Sequence, residues 1–342
     1  MSPSNMIAAL PKVELHIHVV GSIRPRTLID FIQEGEFETP YKSASDIDQL
    51  FQFQSFSHFI SVYSEVVECI TREHQFERLT FEMLEDLATS SVHYAEISFS
   101  APDHMRRGLE FNKMLDAIGK GIRRAGREYK INADIRIDLV RNYGPESAME
   151  VLDCIRERAD EITSVDIGGS EYEFPPKPFA VVYEEARNLG LHLVAHAGEA
   201  AGPESVWDAI RYLKVERIGH GTSAIQDSHL MDRMKELGIA IEACPVSNVK
   251  TGVVRSLSEH PVGDFYRRGL LVSVNSDDPA FFDTDITNEY QQLHDVLGFS
   301  VGDLMNLTMN AVNSSFLGER RKERLLETVR KENQRALDNF NG

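Results

Sequence analysis

Positive charge is what this chain is short of. Its 36 Lys and Arg stand against 54 Asp and Glu, a formal net charge of -18 over 342 residues. Nucleic acid and anionic membrane surfaces each demand a basic patch, so neither is expected as a partner, and a small molecule is. Cysteine is scarce too. Cys69, Cys154 and Cys244 form an odd set without paired spacing, which argues for reduced thiols in a cytoplasmic setting. The stretch Met1 to Leu10 lacks a basic region, and its apolar part, Met6 to Leu10, is short. Neither a secretory signal nor a membrane span is expected from it. No stretch rich in Pro, Gly or Ser divides the chain and no low-complexity tract occurs, so residues 1–342 read as one domain. At 42% hydrophobic residues the chain can bury a large core. Nothing in the sequence sets an oligomeric state.

What is present is a recurring pattern: a short β-branched run, a loop, then a helix-period stretch. The runs are Val13 to His18, His93 to Ser98, Ala133 to Leu139, Ser164 to Ile167, Leu191 to Ala195, Arg217 to Gly219, Ile239 to Cys244 and Leu271 to Asn275. The later runs end near Ile167, His196, His220, Cys244 and Ser276, at separations of 29, 24, 24 and 32 residues. Roughly 30 residues is the length of one βα unit. A parallel barrel follows, with its strand ends opening on one rim. Between runs, Phe111, Met114, Leu115, Ile118 and Ile122 form one apolar helical stripe, and Ala148, Val151, Leu152 and Ile155 after Pro145 form another. Gly190 and Gly238 stand where a left-handed residue would close a helix before the next strand. The first crossover, from His18 to about Ser98, is too long for one helix and must hold an insertion, at about residues 22–90. Phe51, Phe53, Phe56, Phe59 and Tyr63 crowd within it. They read either as a satellite core or as an aromatic lid that excludes water and covers a flat apolar ring.

Chemistry-bearing residues gather at the run ends. His16 and His18 alternate with Leu15 and Ile17, so both imidazoles share one face of a strand. The stretch Leu193 to Glu199 puts His196 and Glu199 just beyond a strand, His220 ends another, and Asp277-Asp278 follows the eighth. Four separate strands thus deliver metal-competent groups to one rim. His58, His74, His104, His229, His260 and His294 lack such company and read as ordinary core or surface residues. Alone, Asn275 to Pro279 reads as a turn with Asx hydrogen bonds, and Gly168-Gly169 as a strand-to-loop turn.

Together these stretches resemble the adenosine deaminase family of the amidohydrolase superfamily. The matching segments are Leu-Pro-Lys-Val-Glu-Leu-His-Ile-His at 10–18, His-Ala-Gly-Glu at 196–199, Arg-Ile-Gly-His-Gly at 217–221, Cys-Pro-Val-Ser-Asn at 244–248 and Asn-Ser-Asp-Asp-Pro at 275–279. The resemblance implies a (β/α)8 TIM barrel with a helical insertion after the first strand and one Zn2+ per chain, bound by His16, His18, His196 and Asp277. It implies hydrolytic deamination of a 6-aminopurine, with hydroxide made available at neutral pH attacking C6 and ammonia leaving. His220 then orients the nucleophile with Asp277 as proton acceptor, and Glu199 protonates N1, which needs a carboxyl kept neutral by burial. Asp278 meets N7, the Gly169 N–H meets N3, and the segment from His18 to Val20 meets the sugar.

One departure bears on the substrate. Adenosine deaminases carry Asp, and adenine deaminases tend to carry Glu, where this chain has Val20. A valine rewards no 5′-hydroxyl, so an apolar or extended 5′ group is expected. Aminodeoxyfutalosine, an adenosine with a carboxyphenyl-ketone arm at its 5′ end, fits that description, with Arg24 or Arg26 as partner for its carboxylate. The run Ser273 to Phe282 is similar to that of adenine deaminases, which makes the free base the alternative substrate. A different mononuclear zinc hydrolase is the further alternative. A two-metal site is disfavoured because Ile167 and Gly168 offer no bridging ligand. The cytidine-type zinc site is excluded, because Cys244 lacks a Pro-Cys-x-x-Cys context.

Overall fold

The structure is a computed structural model that describes residues 3–53 and 55–341, with side chains as far as Asp338. Eight strands lie in it: β1 (Lys12–His18), β2 (Val92–Phe99), β3 (Asn132–Asp138), β4 (Ile162–Asp166), β5 (His192–Ala197), β6 (Arg217–His220), β7 (Ala240–Ala243) and β8 (Val272–Val274). Each pairs in parallel with the next in sequence. The ring closes where Ile17 bridges Asp277, the His18 N–H donating to the Asp277 carbonyl at 2.9 Å and the Asp277 N–H to that of His16 at 3.1 Å. The result is a (β/α)8 barrel. All eight β-branched runs correspond to strands, with ends displaced by a residue or two.

The strands form because β-branched and aromatic residues occupy the positions that face the surrounding helices, Ile135 and Ile137 of β3 among them. The alternate positions point inward and are mostly polar. Arg136 reaches across the barrel from β3 to Glu242 of β7, with two contacts of 2.8 Å. Barrel interiors are ordinarily layered with Val, Ile and Leu; here charge fills part of that space.

The helix Phe111–Tyr129 buries Phe111, Met114, Leu115 and Ile118, and Gly144–Arg156 buries Ala148, Val151, Leu152 and Ile155. Gly190 and Gly238 both take left-handed backbone at helix ends. Between β1 and β2 lie four helices, Pro25–Glu34, Ala44–Leu50, Phe56–Glu68 and Gln75–Thr89. Pro25 starts the first, and the Ser43 and Ser55 side chains cap the second and third. Phe51 stacks on Phe281, beyond β8, at 4.2 Å between ring centroids. Phe59 meets Phe281 at 6.1 Å and Phe282 at 5.1 Å. This segment therefore packs onto the same rim that carries Asp277. The three cysteines are free thiols, Cys69 and Cys244 buried and Cys154 half-buried. No described helix is long and apolar enough to cross a membrane.

Candidate active site

The β1 alternation puts His16 and His18 on the barrel's inner face, and each imidazole is fixed by what lies behind it. The Nδ1 of His16 donates to Glu242 Oε2 at 2.7 Å, so its Nε2 turns forward, buried and without a hydrogen-bond partner. That Nε2 lies 3.3 Å from Asp277 Oδ1, and the Nε2 of His18 lies 3.3 Å from the same oxygen. His196, from β5, has its Nδ1 3.1 Å from Asp166 Oδ1 of β4. The His16 ring centroid lies 4.5 Å from that of His196 and 5.2 Å from that of His18. A side chain at Gly219 would come within 2.9 Å of the His16 ring, so the neighbouring strand must carry glycine there.

One atom from each of His16, His196, His220 and Asp277 falls within a 4.8 Å cluster, and His18 forms a second such group with Asp277 and Asp278. Imidazoles and a carboxylate oxygen crowded this closely, with a buried nitrogen left unpaired, are a donor set that fits zinc. His16 of β1 and His196 of β5 are each backed by an acid, as metal-bound histidines commonly are.

His220 is held differently. Asn248 accepts from Thr222 Oγ1 and His260 Nε2, both at 3.1 Å, so its amide nitrogen must donate to His220 Nδ1 at 3.2 Å. That fixes the tautomer, with the His220 proton on Nε2, 3.7 Å from Glu199 Oε1 and 3.9 Å from Asp277 Oδ2. Burial, with three other imidazoles close by, outweighs Asp277 and holds His220 well below its usual pKa. It is a neutral donor aimed into the cavity.

Glu199 sits in the loop after β5, and Glu171 braces that loop by accepting the N–H groups of Glu199, Ala200 and Ala201 at 3.0, 2.8 and 3.0 Å. Burial first, then the Asp277 and Glu171 carboxylates, raises the Glu199 pKa well above 4.5. Asp278 is pushed up to about 8 by burial and by Asp277 beside it. Burial opposes ionisation of Asp277 as well, but the His16, His18 and His220 imidazoles close to it hold its carboxyl well below the usual range. Gly169 has φ +99°, and a side chain there would meet Asn142 Oδ1 at 2.2 Å, so only glycine brings this backbone to the cavity edge. Val140, His220 and Asp277 line the same cavity at φ 48°, 61° and 64°, conformations that cost about 1–3 kcal/mol each.

The cavity takes in His18, Gly169, His196, Glu199, His220, Asp277 and Asp278. Its apolar lining is Phe56, Phe59, Ile60 and Tyr63 of the helix Phe56–Glu68, and its polar lining includes Ser100, Asp103, Asp138, Asn142 and Tyr143. His16 stands directly behind it.

Two expectations need correction. Val20 does not line the cavity: Val19 turns helical at φ -59°, ψ -44°, ending the alternation that aligned 16 and 18. Val20 is then packed in the core at 2% exposure. Arg24 is taken up by Glu85 at 2.7 Å and Asp86 at 2.5 Å, and Arg26 is an exposed residue paired with Asp30, so neither awaits a substrate carboxylate. β4 does supply an acid, Asp166, but it is turned to His196 and is no bridging ligand. His260, read as ordinary, is buried one hydrogen bond behind the His220 partner. Sequence reasoning passed over Glu171, Asp166, Glu242, Asn248, Asp103 and Tyr143. Strand alternation could have marked Asp166 and Glu242; for the loop residues no comparable signal exists.

A model of the adenosine deaminase family matches residues 11–332. An aminodeoxyfutalosine deaminase of Streptomyces avermitilis is 38% identical over 95% of this chain and 92% of its own. Among solved structures, an adenine deaminase of Arthrobacter aurescens superposes with a TM-score of 0.91 at 29% identity, covering 94% of this chain and 98% of its own. An amidohydrolase of Burkholderia ambifaria, solved with zinc bound, superposes with a TM-score of 0.90 at 26% identity over 99% of this chain and 95% of its own.

Proposed function

Because the chain belongs to the adenosine deaminase family, whose members are hydrolytic deaminases of the amidohydrolase superfamily, we propose that it is a zinc enzyme that removes the 6-amino group of a purine nucleoside as ammonia. One observation carries the reading: Glu199, a buried carboxyl whose pKa is raised well above 4.5, shares a cavity with His18, His196 and Asp277, and His16 completes the donor set behind them. These four residues would hold the metal. Zinc, when bound, supplies the Lewis acidity that lowers a water's pKa from about 16 to about 7.

The chain's own residues do the rest. Glu199 gives its proton to N1, which makes the ring an electron sink for addition at C6. The Nε2–H of His220 points at the nucleophile's position and orients it, and Asp277 Oδ2 stands next to it as acceptor. Asp278, protonated near neutral pH, donates to N7, and the Gly169 N–H donates to N3. Phe56, Phe59 and Tyr63 act as a lid over the ring and exclude water.

Aminodeoxyfutalosine is the first substrate of choice, supported by the 38% identity to a deaminase of that compound. Free adenine is the second reading, supported by the likeness to the Arthrobacter enzyme. The test is a panel of aminodeoxyfutalosine, adenosine and adenine followed by the ultraviolet change on deamination, with metal content measured on the same protein. Ranking by kcat/KM selects the substrate. No turnover of any 6-aminopurine by metal-loaded protein would overturn the proposal.

A further inference from the structure

We infer that Asp103 and Tyr143, backed by Ser100 and Asp138, form the subsite that reads the sugar on N9 and turns away a phosphate at its 5′ end. The inference rests on the purine pose proposed above. That pose spends N1 on Glu199 after β5, N3 on Gly169 after β4, N7 on Asp278 after β8, and C6 on the metal end. In a purine, N9 lies between N3 and N7 and away from N1 and C6. Between β4 and β8, on the side away from β5, stand the ends of β1, β2 and β3. N9 must point there.

The cavity lining contributed from that side is Ser100, Asp103, Asp138, Asn142 and Tyr143, a set of hydroxyls, acids and an amide that Tyr63 adjoins through Ser100. Its members are already ordered. Asp138 is held in place, its Oδ1 accepting the Val140 N–H at 3.0 Å and the Gly168 N–H at 2.7 Å and its Oδ2 the Ser100 hydroxyl at 3.0 Å. Asp103 accepts the Tyr143 hydroxyl at 2.9 Å on Oδ1, which leaves Oδ2 to receive a ligand hydroxyl. Burial and then the nearby Asp138 push the Asp103 pKa up to about 7, so this carboxyl both accepts and donates near neutrality. Free adenine would leave the polar row facing nothing, and a nucleoside would occupy it.

The same row sets the charge of what enters. No Lys or Arg is among the described residues lining the cavity. Arg106, an exposed residue outside the lining, lies over the Tyr143 ring at 4.4 Å from its centroid and from there partly offsets the Asp103 charge. A phosphate on C5′ would meet two carboxyl groups with no Lys or Arg in the lining to pair with it, a like-charge encounter in a partly desolvated site. Neutral 5′ groups carry no such penalty.

The experiment is kcat/KM for adenosine, 3′-deoxyadenosine, 5′-deoxy-5′-methylthioadenosine, AMP and adenine on zinc-loaded wild type, D103N and Y143F, with calorimetric binding of the products inosine and hypoxanthine. Wild type should prefer adenosine to AMP by at least about 100-fold and accept the methylthio compound. D103N should lower the adenosine-to-adenine ratio by about 10–100-fold, the range for a hydrogen bond to a charged group. It should lower the inosine-to-hypoxanthine affinity ratio likewise, and raise the AMP-to-adenosine ratio. In D103N or Y143F, loss of one sugar hydroxyl should matter less than in wild type. If D103N fails to fold, Y143F carries the same ratios. Equal changes for base and nucleoside, or ready turnover of AMP by wild type, overturn this subsite while leaving the deaminase standing. Absence of turnover on every compound removes the reading beneath it.

Discussion

Replacing Glu199 with Gln should make this protein slower and, at neutral pH, harder to melt. The amide keeps the shape and one acceptor but has no proton to give, so kcat should fall about 10²–10⁴-fold, or about 3–5 kcal/mol on the barrier. The stability effect follows from burial. The folded-state pKa of Glu199 lies well above 4.5, so above that pH the unfolded chain releases a proton that the folded one retains. The wild type's stability from this group is therefore complete below about pH 4.5 and is lost as pH rises towards the folded pKa, at about 1.4 kcal/mol per unit. E199Q has no such slope. Its margin over wild type should widen as pH rises from about 4.5 towards the folded pKa, by at most about 1.4 kcal/mol per pH unit, with Tm rising in step. Calorimetric melts from pH 5 to pH 8 read it, on metal-loaded and chelated protein; the margin should be wider after chelation, because a nearby dication lowers the carboxyl's pKa. A margin flat with pH would mean that the folded protein ionises Glu199 freely, which removes it as proton donor. A loss in kcat below about 10-fold would assign the donor elsewhere.

Two other substitutions probe the groups behind the donor set. E242Q weakens the acceptor of the His16 Nδ1 proton, and zinc affinity, read by competition with a chromophoric chelator, should drop about 10–100-fold; unchanged affinity would deny Glu242 a positioning role. N248D replaces the amide that donates to His220 Nδ1 with an acceptor, which favours the opposite tautomer and should lower kcat about 100-fold or more while zinc content and KM change little. A loss carried by KM instead would show Asn248 to be a packing residue.

The barrel was readable because parallel strands covered by helices leave dense β-branched runs, and the intervals between them repeat. The donor set was readable for a related reason: Leu15 and Ile17 force His16 and His18 onto one face, and the other ligands fall at strand ends. The same alternation was present in Ile135-Arg136-Ile137-Asp138, but it went unused, since a barrel interior is expected to be apolar. Asp103 and Tyr143 lie in short helical turns after β2 and β3, and Glu171 in the loop after β4, connections whose course depends on distant contacts, so no local period marks them. Arg24 misled for a comparable reason. Its partners, Glu85 and Asp86, sit about sixty positions away, on a helix whose docking only the fold reveals. Val20 misled because a single helical residue at Val19 cancelled the strand register.

The ion pairs inside the barrel have a consequence for anyone wishing to transplant this chemistry. Glu242 steadies His16 and is itself gripped by Arg136 of β3 and Arg217 of β6, Arg217 is tied in turn to Glu96 of β2, and Arg136 also reaches Asp166, which faces His196. Moving the histidines and Asp277 into another scaffold would leave their counterions behind. The smallest portable unit is a relay spanning seven of the eight staves, and a graft that copies the ligands alone inherits a mouth without the jaw that sets its bite.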